Sequence, residues 1–265
     1  SIEKELEMIV SFSNIYSKNI IAVAGGFSSG KSEFINSFFK ENVVALPVGV
    51  NPVTAIPTYI TNGQKNLIKG YSQKGGVFEI SPCLHKKFDH NFIKSFNFKL
   101  KDILPVMAVE TPLKSYEHIC FIDTPGYNPA ETEYTDEDKK TASDYVEQAF
   151  SVIWMIGLDS NGTIPLSDIQ FLDRLNLQNK KLFVVANKAD LRPKESVSCV
   201  MDEIQQTLEN YSFNYEGISA YSSVNKKEHD YRKKSLIEFL DDSNFSTKIR
   251  DNLIHKIDSV MYMYK

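Results

Sequence analysis

The sequence is poor in the residues that mark secreted, membrane-spanning and nucleic-acid-binding proteins. It has three cysteines in 265 residues and no Cys-x-x-Cys pair, so we expect neither a disulfide framework nor a metal-binding cysteine cluster. No apolar run approaches the ~18 residues needed to cross a bilayer. The net charge is −4, from 30 basic and 34 acidic residues, and this lack of a basic excess disfavours a sequence-independent nucleic-acid binder.

Short apolar runs alternate along the chain with segments that carry apolar residues at helical spacing. The runs predict buried strands, because a strand covered on both faces is apolar throughout. Strands alternating with helices predict an α/β fold with a mostly parallel sheet and helices on both faces. The predicted strands include 19–24, 116–123, 151–156, 181–186 and 216–219, and the predicted helices include 31–39, 167–177, 196–210 and 231–241.

The central part of the chain, residues 19–225, is expected to form one domain. Within it the turn Asn62-Gly63 lies between two short predicted strands and predicts a hairpin. The segment of about 80–112 mixes aromatic residues, lysines and prolines, and it is interpreted as an insertion. Residues 1–18 and 226–265 carry apolar residues at spacings of three and four, so we expect terminal helices there, packed on each other and on the domain.

The clearest motif is G-G-F-S-S-G-K-S at residues 25–32, which fits the pattern G-x-x-x-x-G-K-[ST]. A predicted strand precedes it and a predicted helix follows, as a phosphate-binding P-loop requires. Its glycines let the backbone wrap around phosphates with the N–H groups turned inward. Lys31 is placed to reach the β- and γ-phosphates of a nucleotide, and the Ser32 hydroxyl to bind Mg²⁺. The other residues expected to surround the phosphates are Gly26, Phe27, Ser28, Ser29 and Gly30.

A second motif, D-T-P-G at residues 123–126, ends the next predicted core strand. The Asp123 carboxylate at that position can hold Mg²⁺ through water, and the Gly126 N–H can bond the γ-phosphate. The D-x-x-G pattern alone is a weak indication of a nucleotide site, but at the end of a strand downstream of a P-loop it is a strong one.

The third motif, N-K-A-D at residues 187–190, predicts recognition of guanine. The Asp190 carboxylate can accept from both N1–H and the 2-amino group of guanine, whereas adenine would leave it unpaired. Asn187 belongs to the same base-reading motif, and Lys188 is expected to lie along the base plane. Ser219-Ala220 follows the last predicted strand and fits a loop whose backbone contacts the guanine oxygen. Every motif thus follows a strand, at the edge where open α/β sheets bind ligands.

Residues 46–58, L-P-V-G-V-N-P-V-T-A-I-P-T, lie between the first two motifs. A mobile loop here should sense the γ-phosphate and supply a threonine hydroxyl to Mg²⁺, with Thr54 and Thr58 as candidates. Together with the P-loop, this segment resembles the dynamin superfamily, most closely its bacterial dynamin-like branch. The stretch I-P-L-S-D-I-Q-F-L at residues 164–172 also looks like that branch, and the resemblance covers about 19–222.

The resemblance implies roles for individual residues. Thr54 matches the Mg²⁺-binding threonine of dynamins. Gly49 and Ser28 match the residues that hold a charge-compensating monovalent cation, K⁺ or Na⁺. Ser28, Lys31, Thr54 and Gly126 would then form the catalytic set. It also implies that the terminal helices are the stub of a helical bundle that links a GTPase head to a stalk.

Two departures from the family pattern bear on catalysis. Phe27 stands where dynamins have a water-positioning glutamine, and Tyr127 stands where Ras-like proteins have theirs. No arginine lies in the P-loop, in 46–58 or in 123–135. We therefore expect slow intrinsic turnover, with charge compensation by K⁺ or Na⁺ and completion of the site by dimerisation across the nucleotide face.

The resulting expectation is the GTPase head of a bacterial dynamin-like protein, which hydrolyses GTP with Mg²⁺ by direct water attack. Because the chain begins with Ser1 rather than Met, we expect it to be a piece of a longer protein. Expected partners are a second GTPase head, in a homodimer or hetero-oligomer, and a lipid membrane through regions absent here, but no nucleic acid. A cytoplasmic location is expected, peripheral at the inner face of the cell membrane where such regions bind lipid. Two alternatives remain open: a regulatory switch that recruits a protein or ribosomal partner, and a GTP binder that barely hydrolyses.

Overall fold

The protein is described by a computed structural model. The described residues are 17–26, 28–41, 43–48, 56–72, 76–86, 103–124, 145–146, 148–159, 163–175 and 179–246, together with Ile15, Gly126 and Leu177.

In the described residues, ten strands form one mixed sheet in the order β10-β9-β8-β7-β1-β6-β2-β5-β3-β4. The strands are β1 (Asn19–Gly25), β2 (Thr58–Asn62), β3 (Leu67–Tyr71), β4 (Val77–Glu79), β5 (Val106–Thr111), β6 (Ile119–Asp123), β7 (Ser151–Gly157), β8 (Lys181–Asn187), β9 (Gly217–Ser222) and β10 (Lys227–Arg232). The five strands from β9 to β6 are parallel, whereas β10, β3 and β4 pair antiparallel with their neighbours. The α/β class and the parallel centre of the sheet are thereby confirmed.

Five α-helices flank the sheet in the described residues: α1 (Lys31–Asn36), α2 (Pro82–His85), α3 (Leu166–Arg174), α4 (Lys194–Asn210) and α5 (Leu236–Ser243). The side chains of each central strand point alternately to opposite faces, which builds two cores. Ile21 and Val23 of β1 join the core under α1 and α5, whereas Ala22 and Ala24 join the core under α3 and α4. Both faces are therefore covered by helices, as predicted. No helix in the described part of the chain is long and apolar enough to span a membrane.

The predicted hairpin around Asn62-Gly63 is wrong. Strands β2 and β3 do not pair with each other, because β5 lies between them and pairs with both. β5 belongs to the segment of about 80–112, so that segment is not simply an insertion on the outside of the domain. Its last part supplies a strand whose Val109 is fully buried in the core.

The domain boundary expected at residue 225 falls inside the sheet. Strand β10 pairs antiparallel with β9 and occupies part of the helix predicted at 231–241. Helix α5 packs on the same core, where the Phe239 ring stacks on Phe183 with centroids 4.6 Å apart. Residues up to Ser243 therefore belong to the central domain. Residues 1–14 and 247–265, where the paired terminal helices are expected, lie outside the described residues.

Candidate functional site

The predicted motifs meet at one edge of the sheet because the strands that carry them are parallel. The P-loop follows β1, Asp123 ends β6 and Asn187 ends β8. Parallel strands place their carboxyl ends on the same side, and this is the side where α/β sheets bind ligands. The structure thus brings together three segments that lie far apart in the sequence.

Lys31 lies deep in the P-loop and is only 7% exposed. Its Nζ donates to the carbonyl oxygens of Gly25 at 3.2 Å and Gly26 at 2.9 Å. Burial lowers the pKa of Lys31 to about 8, although the negative charges of Asp123 and Asp168 oppose that shift. The ammonium group is therefore held by neutral carbonyls, which a phosphate can replace.

Gly30 precedes α1 in the left-handed region with φ +85°. A Cβ at this position would lie 2.5 Å from Nδ2 of Asn187, so any side chain would collide with the third motif. Glycine is required here for both its backbone angle and its small size. This explains why the loop and the N-K-A-D motif can approach so closely.

Ser32 and Asp123 form the part of the site suited to a metal ion. The Ser32 hydroxyl donates to Oδ2 of Asp123 at 2.6 Å, and Asp123 is buried. The neighbouring Thr124 fixes the end of β6, since its Oγ1 donates to the Val23 carbonyl at 2.9 Å. A hydroxyl and a carboxylate in contact are the hard oxygen donors that Mg²⁺ prefers, so these residues fit that ion.

Several predicted site residues cannot be compared with the structure in this way. Phe27, Gly49, Thr54 and Tyr127 lie outside the described residues. Ser28 is exposed, with a left-handed φ of 59°, and Ser29 is buried with its Oγ donating to the Gly26 carbonyl at 2.8 Å.

Asn187 joins the two halves of the site. Its Nδ2 donates to the Ser29 carbonyl in the P-loop at 3.0 Å. Its Oδ1 accepts from the Ser223 N–H at 3.2 Å and from the Ser223 hydroxyl at 2.8 Å. One buried amide therefore ties the P-loop to the loop after β9.

Lys188 and Asp190 occupy the turn that follows Asn187. Lys188 has a left-handed φ of 66°, and its Nζ pairs with Asp159 at 2.6 Å. Asp190 lies in a 3₁₀ turn, Ala189–Leu191, with an exposed side chain. Asp190 is thus open to solvent, three residues after the Asn187 side chain that contacts the P-loop.

The expectation that Ser219-Ala220 lies in a loop is wrong. Both residues are fully buried inside β9, where they pair in register with Val185 and Ala186 of β8. The loop begins instead at Ser223, beside Asn187. The sequence could have indicated this loop through the pair Ser222-Ser223, because a β9 strand of about the same length as β8 ends there and not at Ser219-Ala220.

Asp168 is a site residue that the sequence analysis did not single out. It lies in the first turn of α3 with its side chain 5% exposed, and its Oδ2 accepts from Nε1 of Trp154 at 2.9 Å. A Cβ on Gly26 would lie 3.9 and 4.0 Å from its two carboxylate oxygens. A buried carboxyl group therefore lies directly beside the P-loop.

Comparison with known proteins agrees with this geometry. The sequence profile described as the Dynamin family matches residues 21–189, more than half of the chain. Dynamin-like protein 2 of Campylobacter jejuni is 28% identical over 246 residues, which cover 91% of this chain and 37% of that protein. The GTPase Era of Clostridium kluyveri is 28% identical over 124 residues, which cover 46% of this chain and 38% of that protein.

A solved structure of an oligomerised bacterial dynamin pair has a similar fold. It superposes with a TM-score of 0.58 at 21% identity and covers 96% of this chain. The chain spans 38% of that structure, as it spans 37% of the Campylobacter protein. The chain therefore corresponds to less than half the length of these larger proteins.

Proposed function

The chain belongs to the dynamin family, and on that premise we propose that its GTPase domain binds GTP with Mg²⁺ and hydrolyses it by direct attack of water on the γ-phosphate. The observation that carries the proposal is the bridge made by Asn187. Its side chain ties the P-loop to the loop after β9, and three residues further along the chain Asp190 has an exposed carboxylate suited to reading a base. A guanine nucleotide has phosphates that suit the P-loop and a base edge with two N–H donors that suit the Asp190 carboxylate.

At the phosphate end, Lys31 and the P-loop backbone hold the β- and γ-phosphates. The hydrogen bonds from Lys31 to two loop carbonyls support this role, because they keep the ammonium group buried and ready to transfer to a stronger acceptor. Gly30 and its neighbours leave room for the phosphates, and the Gly126 N–H bonds the γ-phosphate.

The Mg²⁺ ion is held by Ser32 directly and by Asp123 through water, and Thr54 adds a ligand from the 46–58 segment. The hydrogen bond between Ser32 and Asp123 supports this assignment. When bound, Mg²⁺ neutralises charge on the β- and γ-phosphates.

At the base end, Asp190 accepts two hydrogen bonds from guanine and Lys188 lies along the base plane. The left-handed turn at Lys188 and the ion pair of its side chain with Asp159 support this role. We propose that the backbone at Ser223 and Val224 contacts the guanine oxygen, in place of Ser219-Ala220.

Catalysis is proposed to use K⁺ or Na⁺ near Ser28 and a second GTPase head across the nucleotide face. The exposed position of Ser28 at the P-loop supports an added ion or partner there. The departures at Phe27 and Tyr127 leave the described site without an obvious water-positioning side chain, so we expect slow turnover by the isolated head.

We further propose that the longer protein works at a membrane as a peripheral, cytoplasmic assembly, with residues 1–18 and the segment after Ser243 leading into a helical bundle. Support comes from the bacterial dynamin pair of similar fold, which is described as oligomerised and as sensing and tethering membranes. Direct nucleic-acid binding is not part of this proposal.

The test is GTP hydrolysis at several protein concentrations, in K⁺ and in Na⁺ buffers. The Lys31→Ala variant serves as a control for contaminating GTPases. We expect turnover per molecule to rise with concentration and to depend on the monovalent ion. A slow rate that is independent of both, despite tight GTP binding, would contradict dimer-stimulated catalysis and favour a regulatory switch that needs an outside activator.

A further inference from the structure

Asp168 is an unusual buried residue, because its carboxyl group is shielded from water and has no ion-pair partner among the described residues. Its carboxylate has two neutral donors, Nε1 of Trp154 at 2.9 Å and the Ser167 hydroxyl at 3.4 Å. Among the described residues, no cation lies within ion-pair distance of Asp168. Burying a carboxylate with neutral donors alone is unfavourable, because the charge loses more hydration than two hydrogen bonds restore. Burial accordingly raises the pKa of Asp168, while Trp154, Ser167 and Lys31 oppose the rise.

The position of this anion relative to the P-loop gives it a functional consequence. Both carboxylate oxygens lie close to Gly26, whose carbonyl accepts from Lys31. Asp168 and Lys31 each affect the pKa of the other, so the two charges interact across the buried loop. The Asp168 carboxyl group therefore lies next to the loop that is proposed to take phosphates.

The sign of its effect on phosphate binding follows from electrostatics. In the empty site, Asp168 attracts Lys31 and so stabilises that state. In the occupied site, it still attracts Lys31 but also repels every phosphate charge through a poorly screened interior. The attraction to Lys31 is common to both states, so the repulsion of the phosphates makes the difference, and it favours the empty site over the occupied one.

We propose that Asp168 weakens nucleotide binding and promotes release: its carboxylate lies beside Gly26 of the P-loop and opposes the phosphates through charge repulsion. The inference rests on the proposed function, since it requires phosphates in the P-loop. Trp154, the single tryptophan of the chain, holds the carboxylate in place.

A purely structural role for Asp168 makes the opposite prediction. If Asp168 only anchored Trp154, then removing its charge would loosen α3 and the P-loop and would weaken binding. A gain in nucleotide affinity on removal of the charge therefore supports the electrostatic role, and a loss supports the structural role. Only the electrostatic role predicts that the change grows with the charge of the ligand.

The experiment compares Asp168→Asn with the wild type by displacement of a fluorescent GDP analogue, using guanosine, GDP and a non-hydrolysable GTP analogue with Mg²⁺. The control is Asp173→Asn, which removes the same charge from an exposed position on the same helix. We expect Asp168→Asn to bind the triphosphate about three- to tenfold more tightly, as for one partly screened charge. The gain should be smaller for GDP and absent for guanosine, and Asp173→Asn should match the wild type.

Trp154 emission provides a second measurement that does not depend on whether the variant folds. In the wild type, the triphosphate should change the emission more than GDP does, because the indole N–H is bonded to the carboxylate beside the loop. Three results would each overturn the inference. They are weaker binding of the triphosphate by Asp168→Asn, an equal gain in affinity for guanosine, and a wild-type Trp154 emission that does not change when the triphosphate binds. A wild type that binds neither GDP nor GTP would instead overturn the proposed function itself.

Discussion

The two ends of the candidate site are built differently. At the phosphate end, Lys31 and Asp123 are buried and hydrogen-bonded to neighbouring protein groups. At the base end, Asp190 is exposed on a short turn and Lys188 is half-buried beside Asp159. The first is part of the core, whereas the second lies on turns beyond the ends of β8 and β9.

This difference indicates how the work of binding is divided. Under the proposed function, we expect the buried and preorganised phosphate end to supply affinity for any nucleotide, because phosphates are common to all of them. We expect the exposed carboxylate of Asp190 to supply selection, because it would contact only the edge of the base. Asn187 holds the two ends at a fixed separation. Variants at the phosphate end should therefore affect every nucleotide, and variants at the base end should change the preference among them.

The largest effect is expected for Lys31→Ala. Removing the ammonium group should weaken GTP and GDP binding at least ~100-fold, because a charge-assisted contact to phosphate in a buried site is lost. Displacement of a fluorescent GDP analogue measures the change, and circular dichroism checks the fold. Binding within a few fold of the wild type would show that the P-loop does not hold phosphates.

Asp190→Asn should change base preference rather than general affinity. The amide cannot accept both guanine N–H groups, so GTP binding should weaken about 100-fold. Xanthosine triphosphate should then bind better than GTP, because xanthine has a carbonyl oxygen where guanine has its amino group and the amide N–H can donate to it. Competition between the two nucleotides measures the ratio. An unchanged preference for GTP would place the base elsewhere.

Asn187→Ala should affect both ends together and also the fold. It leaves the Ser29 carbonyl and the Ser223 N–H without their buried partner, which should lower the free energy of unfolding by about 2–3 kcal/mol. Urea unfolding measures this, with Asn210→Ala at the exposed end of α4 as the matched control. If stability falls but GTP affinity does not, then the bridge is structural and does not align the site.

The smallest effect compares two serines of similar chemistry. Ser223→Ala removes a hydroxyl that donates to Asn187 and should cost about 0.5–1 kcal/mol of stability, with a few-fold loss in GTP affinity. Ser219→Ala should be nearly neutral, because the buried Ser219 hydroxyl has no hydrogen-bond partner in the described part of the chain. Paired unfolding and binding curves test this. The reverse order would contradict the proposal that the base-binding loop is the one at Ser223.

The features that were predictable from the sequence are those that depend on neighbours in the chain. A strand, a glycine-rich turn and a helix stand in succession around Lys31, so the P-loop could be placed directly. Strand β5 could not be placed, because its insertion between β2 and β3 depends on pairing partners tens of residues away. The wrong loop at Ser219 has a related cause, since the length of β9 is set by its register with β8.

Asp168 shows the same limit within the site itself. The motif around it could be read as an amphipathic helix, in which an aspartate is ordinarily exposed. Its burial follows from the hydrogen bond to the Trp154 indole on β7 and from the packing of α3 on the same core as Trp154. Only the folded arrangement brings that carboxylate to Gly26.

The most direct test of the account is calorimetric titration of the protein with GTP and with ATP, each with Mg²⁺. The account predicts that GTP binds at least ~100-fold more tightly than ATP, because Asp190 is left unpaired by adenine while the phosphate end treats both nucleotides alike. Equal binding of GTP and ATP would contradict the assignment of the base end, and binding of neither would contradict the site as a whole.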